Sequence, residues 1–205
     1  EVAFSHEMAK TFPNETIIVV KHAVGGTSML EWLGTRPRGG KAKNQPVKDA
    51  PDESLNNDAR GLYPTLMNAV TAATKGRSVE FCAVVWEQGG RDAKYPETAP
   101  DYAKNLQVLI ERFRKDTATP GLPFLFGEIA TPASSFPATE VVRTCQQTVA
   151  REAQNVRLVD TKGVTTGGDQ THFDTKGLLE LGKRYADAYL EMNKAETNKT
   201  LARPL

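Results

Sequence analysis

Cysteine and histidine are scarce in this chain, two and three in 205 residues, and neither Cys82 nor Cys145 stands at a metal-like spacing from a histidine. This argues against a disulfide framework and leaves no ligand set for a metal, so no metal is expected. Cys82 falls within an apolar strand pattern and Cys145 on the apolar stripe of a helix, where both are expected as buried, inert thiols. No apolar run approaches the ~20 residues that span a bilayer. Lys and Arg number 26 against 25 Asp and Glu, a net charge of +1, with no basic run interleaved with aromatics. Neither a membrane nor a nucleic acid is therefore an expected partner, and a small neutral or weakly charged ligand fits better. The absence of internal repeats and low-complexity tracts excludes solenoids and propellers. Glu1-Val2-Ala3-Phe4 carries neither an initiator Met nor an apolar signal segment, and the start reads as cut.

What remains is one α/β domain over residues 1–205. Met8, Ala9 and Phe12 recur at helical spacing before Pro13-Asn14, and Ile17-Ile18-Val19-Val20 then predicts a buried strand. Lys41 to Asp58 is polar, carries prolines and lacks periodicity, as a surface excursion would. Leu62, Leu66, Val70 and Ala73 predict a helix, and Val79-Glu80-Phe81-Cys82-Ala83-Val84-Val85-Trp86 the next strand. Thr98-Ala99-Pro100-Asp101 reads as a capping box opening a helix with Tyr102, Leu106, Leu109, Ile110 and Phe113 on one face. Phe124-Leu125-Phe126 is a strand, Val141, Cys145 and Val149 trace a helix face, and Val156 to Val159 is a short strand. Asp174 caps a last helix with Leu178, Leu181, Tyr185 and Tyr189 inward, and the polar tail from Asn193 is expected to fray. This alternation predicts a parallel sheet covered by helices on both faces.

In such a sheet reactive groups gather beyond the carboxyl ends of the strands. Three exits carry chemistry. At Gly25-Gly26-Thr27-Ser28 paired glycines can aim backbone N–H groups at an oxyanion, or form a plain tight turn. In Trp86-Glu87-Gln88-Gly89-Gly90-Arg91-Asp92 the Gln88 amide can donate to developing negative charge, or be satisfied by loop backbone. In Gly167-Gly168-Asp169-Gln170-Thr171-His172 the carboxylate can orient an imidazole three residues later as a general base; the alternative is an acidic cap beside a surface histidine. With Asp174 already placed as the cap, Asp169 is left for the histidine. His6 and His22 are poorer candidates, one on the polar side of a helix and one at a strand rim.

Taken together, these exits resemble the sequence blocks of the SGNH hydrolases, in the branch of sialic-acid O-acetylesterases and family 6 acetylxylan esterases. The run from Glu7 through Gly25-Gly26-Thr27-Ser28-Met29-Leu30-Glu31-Trp32 is similar to the second block, Trp86-Glu87-Gln88-Gly89 with Asp92 to the third (W-x-Q-G-E-x-D), and Asp169 to Phe173 with Gly177 and Leu181 to Tyr185 to the last. The resemblance implies a three-layer αβα, SGNH/flavodoxin-like fold and cofactor-free hydrolysis of acetyl esters on carbohydrate. It makes Asp169 and His172 the catalytic pair, and Gly26 and Gln88 the oxyanion hole. It tilts localisation towards export. Gly90 stands where the family has Glu, and no G-Q-S-N-M block with its nucleophilic serine occurs in the 205 residues. The resemblance therefore implies a missing first strand and a serine outside this sequence, supplied by a further segment or a second chain. Ser28 follows an oxyanion-type turn rather than a nucleophile elbow and is not expected to substitute. The alternative reading is a non-catalytic carbohydrate-binding relative of the same scaffold.

Overall fold

The computed structural model describes residues 1–34 and 61–201, so the polar stretch from Lys41 to Asp58 lies outside the described residues. Three short parallel strands form the sheet: β1 (Val84–Trp86), β2 (Phe124–Gly127) and β3 (Val156–Val159), in that spatial order. Val84 pairs with Phe124, and Phe124 in turn with Val156. β2 is central and buried at every residue. Successive side chains of a strand face opposite sides, so Phe124 and Phe126 enter one core while Leu125 enters the other.

The first core is built against α5 (Tyr102–Asp116) and α6 (Thr139–Glu152), with α2 (Met29–Leu33) and the start of α3 (Leu62–Thr74) alongside. The α5 residues that the periodicity selected, Tyr102, Leu106, Leu109, Ile110 and Phe113, are all buried in it. The second core lies between the sheet and α1 (Val2–Thr11) with α7 (Thr175–Leu201), where Met8, Leu181, Tyr185 and Tyr189 surround Leu125 and Val159. Helices therefore cover both faces of a parallel sheet, the α/β layering that the alternation predicted. A four-residue helix, α4 (Gly90–Ala93), follows β1.

Several local expectations are corrected. Residues 17–20 form no strand and join no ladder among the described residues, and Ile17, Ile18 and Val19 are exposed at 38%, 39% and 45%. The second predicted strand shortens to Val84–Trp86 and Cys82 is exposed, while Cys145, off the inward face of α6, is half-buried; both thiols are free rather than buried as expected. β-Branched composition favours an extended backbone, but burial needs a neighbouring strand, which composition cannot supply. Thr98 does not cap α5: its hydroxyl turns back to the Tyr95 carbonyl, and a 3-10 turn at Ala99–Asp101 leads into the helix. The inward face of α6 is Val142, Gln146 and Val149, one position on from the Val141 and Cys145 stripe. Leu178 is exposed, and the last helix spans Thr175–Leu201.

α1 and α7 cross closely because position 182 has no side chain. A Cβ on Gly182 would lie 2.9 Å from the Ala3 Cβ and 3.1 Å from the Phe4 backbone nitrogen. Substitution Gly182→Leu is expected to force the helices apart and to lower stability by roughly 1–3 kcal/mol through overpacking. The urea midpoint of unfolding, at unchanged m-value, reads this; an unshifted midpoint would mean that the crossing is not tight.

Candidate active site

The strand exits are held by side chains, because the backbone leaves the ladder there and its polar groups need new partners. Tyr102 donates its hydroxyl to the Gln88 carbonyl at 2.9 Å, and Tyr185 donates to the Trp86 carbonyl at 2.8 Å. Gln146, fully buried, donates to the Gly127 carbonyl at 2.9 Å and accepts the Ile129 N–H at 3.0 Å, joining the exit of β2 to α6. Gly89 is the one residue that fits between these walls. It has φ +136°, and a Cβ there would meet Ile129, Val142 and the Tyr102 hydroxyl within 3.3 Å.

The first exit turns at Gly25-Gly26, with Gly26 at φ +69°. Thr27 closes the turn by donating to the Val24 carbonyl at 2.9 Å, and its oxygen accepts the Trp32 indole N–H at 3.1 Å. Ser28 is consumed at the start of α2, where the Glu31 carboxylate accepts its N–H at 2.8 Å and its hydroxyl at 3.0 Å. The second exit reaches across to this turn. Gln88 donates one amide hydrogen to the Thr27 carbonyl at 2.9 Å and the other to Asp92 at 2.6 Å, and Asp92 also accepts the Met29 N–H at 3.1 Å. Gly26 and Gln88 are thus brought together through Thr27. The amide hydrogens of Gln88 point into this network, while its Oε1 is buried without a partner among the described residues. Burial pushes the Asp92 carboxyl up to about 6, against the downward pull of the Gln88 and Met29 hydrogen bonds. Glu87 is also shifted upward, first by desolvation of its carboxyl end, against the downward pull of the Tyr185 hydroxyl, whose oxygen lies 2.8 Å from its Oε2.

At the third exit Asp169 and His172 form a local pair. Asp169 accepts the backbone N–H groups of Thr171 and His172, each at 3.0 Å, and its second oxygen lies 2.6 Å from the His172 Nδ1. The ring contact, followed by the two backbone bonds, holds the Asp169 carboxyl well below the usual carboxylate range. With the carboxylate on Nδ1, that nitrogen carries the proton and Nε2 is the basic one. Asp174 caps α7 as expected, accepting the Gly177 N–H at 2.7 Å and the Thr165 hydroxyl at 2.6 Å. Both members of the pair are exposed, the His172 side chain at 84%. No hydrogen bond joins this pair to the Gly26 and Gln88 cluster among the described residues. His6 is exposed on α1, and His22 sits edge-on to Trp32 with a buried, unpartnered Nε2.

Tyr102, Gln146 and Tyr185 shape the site, yet sequence reading gave them no role there. Gln146 carries the one recoverable signal, a neutral amide at helical spacing between Val142 and Val149. Among the described residues no three His, Cys, Asp or Glu side chains gather as a metal site would require.

A layered parallel α/β domain whose chemistry collects at strand exits defines the class of the molecule. A family model described as carbohydrate esterase, sialic acid-specific acetylesterase, matches residues 1–191, and the chain belongs to this family. It is 27% identical over 191 residues to an Arabidopsis thaliana protein described as a probable carbohydrate esterase, a match covering 92% of this chain and 62% of that protein. An X-ray structure of an Arabidopsis thaliana protein at 1.6 Å superposes with a TM-score of 0.60 at 28% identity, covering 82% of this chain and 58% of that one. The chain thus spans less than two thirds of the length of the relatives it matches.

Thr27→Val keeps the side-chain shape but removes the bond to the Val24 carbonyl and leaves the buried Trp32 indole N–H without its acceptor. A loss of at least about 1–3 kcal/mol is expected, the cost of the buried unsatisfied donor together with the lost turn bond. Urea unfolding followed by tryptophan fluorescence measures it.

Proposed function

We propose that this chain is the larger part of a carbohydrate acetylesterase that removes O-acetyl groups by a Ser-His-Asp mechanism, with the serine supplied from outside residues 1–205. The observation that carries the reading is the 2.6 Å contact between Asp169 and His172 at a strand exit, in a chain of the carbohydrate esterase family. In this mechanism the serine hydroxyl attacks the acetyl carbonyl while His172 Nε2 takes its proton, and Asp169 holds the ring through Nδ1. The Gly26 N–H stabilises the tetrahedral oxyanion. Gln88 contributes to that site by holding the Thr27 carbonyl, and one of its hydrogens becomes an oxyanion donor only on release from Thr27 or Asp92. Collapse passes the proton from His172 to the leaving sugar oxygen, and water, activated by the same ring, frees acetate and the serine.

Two stretches, the open-edged β1 and residues 17–20, support a place for the serine to enter. β1 pairs with β2 alone among the described residues, Val85 on it is 41% exposed, and residues 17–20 present three exposed β-branched side chains. The carboxyl ends of both stretches lead to one place, through the rings of His22, Trp32 and Trp86 and the bond from Gln88 to Thr27. A parallel strand added along the free edge of β1 would end beside Gly26 and Gln88. The strand comes from a segment beyond these residues or from a second chain.

A second reading, a carbohydrate-binding relative without turnover, is favoured by the lack of a serine block in the 205 residues and by Gly90 in place of the family's Glu. Full-length protein assayed for acetate release from acetylated xylan oligosaccharides and O-acetylated sialic acid separates the two. Turnover is expected, and Asp169→Asn and His172→Ala are expected to lower kcat by roughly 10³–10⁴-fold with little change in KM. Sugar binding by calorimetry with no acetate released would establish the second reading, and wild-type turnover unaffected by His172→Ala would overturn the mechanism.

A further inference from the structure

We propose that Asp92 is the positioning residue of this site, an ionised lock that joins the Gly25 to Ser28 turn to the Gln88 loop and holds the Gln88 amide with its hydrogens turned away from ligand. Its significance for catalysis rests on the esterase reading; the lock itself does not. Asp92 is 3% exposed and stands on a four-residue helix. Its carboxylate reaches 63 residues back in sequence to accept the Met29 N–H, and accepts from Gln88 at 2.6 Å. With Thr27 C=O on one amide hydrogen and the Asp92 carboxylate on the other, a flipped Gln88 would set its oxygen against two acceptors. The ionised carboxylate therefore selects one orientation, and Oε1 is left buried and unpartnered. An unsatisfied buried acceptor is a poor use of an amide unless something outside the described residues donates to it. As locked, Gln88 has neither amide hydrogen free for an oxyanion.

Protonation of Asp92 would undo this arrangement. It removes the charge that holds the Gln88 hydrogens and turns one acceptor oxygen into a donor, so the amide can reorient. The charged and titratable groups facing Asp92 are Glu31 on α2, whose charge raises its pKa, and Tyr102 on α5, whose own ionisation Asp92 and Glu87 oppose. No cation offsets them in the causes of its shift, and burial sets its value at about 6. Because the folded value lies above the ordinary 3.8, the stability linked to this group is full below that value and is lost as the pH rises through about 6. The lock is thus closed at neutral pH at some expense of stability, which suits a positioning role better than a purely structural one.

The test uses the ¹⁵N-labelled full-length chain, with the Gln88 side-chain amide signals assigned by their loss in Gln88→Met. From pH 8 to pH 5 the Gln88 signals and the Met29 backbone amide are expected to move together, with one midpoint near 6. Asp92→Asn is expected to displace the Gln88 signals at pH 8 and abolish that titration, and Asp92→Glu to restore a titration. Gln88 signals that do not move in the wild type, or that titrate unchanged in Asp92→Asn, would overturn the proposal. If Asp92→Asn does not fold, the Asp92 carboxyl ¹³C midpoint in the wild type decides: agreement with the Gln88 midpoint supports the lock, and disagreement overturns it. Acetate release assayed on the same chain reports on the esterase reading alone, so an inactive wild type with a titrating Gln88 removes that reading and leaves the lock standing.

Discussion

Phe124–Gly127 is buried on both faces, and the placement of the other elements follows from that constraint. A strand with apolar side chains on both sides must be covered twice, so α5 and α6 pack against Phe124 and Phe126 while α1 and α7 pack against Leu125. The parallel pairing of β1 and β3 to it points the carboxyl ends of all three strands the same way, and the bond from Gln88 to the Thr27 carbonyl ties the Gly26 turn to the exit of β1. The exit loops are then trimmed by buried side chains, Tyr102, Gln146 and Tyr185, each donating to a carbonyl where the ladder stops.

Environment separates carboxylates of one residue type. Asp92 loses its water and is pushed upward; Asp169 stays in solvent, collects three hydrogen bonds and is held down. The same chemistry thus serves two purposes. An exposed, firmly ionised carboxylate orients an imidazole, and a buried one ties together two loops that are far apart in sequence. Ser28 illustrates the same economy, since its hydroxyl is spent on Glu31 and is not offered to a substrate.

Among the described residues β1 has one free edge and residues 17–20 join no strand, and the chain covers 62% of a curated relative and 58% of a solved one. An open strand edge and exposed β-branched side chains both favour strand addition.

Patterning along the chain was enough to predict α5, the end of α1, β2, β3 and the inward face of α7 from Leu181 to Tyr189; in α5 and α7 the helical period of the apolar residues is also the period of their burial. The Asp169 and His172 pair was equally legible, since three residues of one loop suffice to bring carboxylate to ring. Tertiary structure alone decided the rest. Whether residues 17–20 and 79–83 became buried strands depended on neighbours that no local pattern encodes, and composition alone made them look alike to β2. The inward face of α6 moved one position to bury Gln146, because the carbonyls at the exit of β2 needed a partner. The orientation of Gln88 followed from Thr27 and Asp92, two acceptors that meet only once the sheet is assembled.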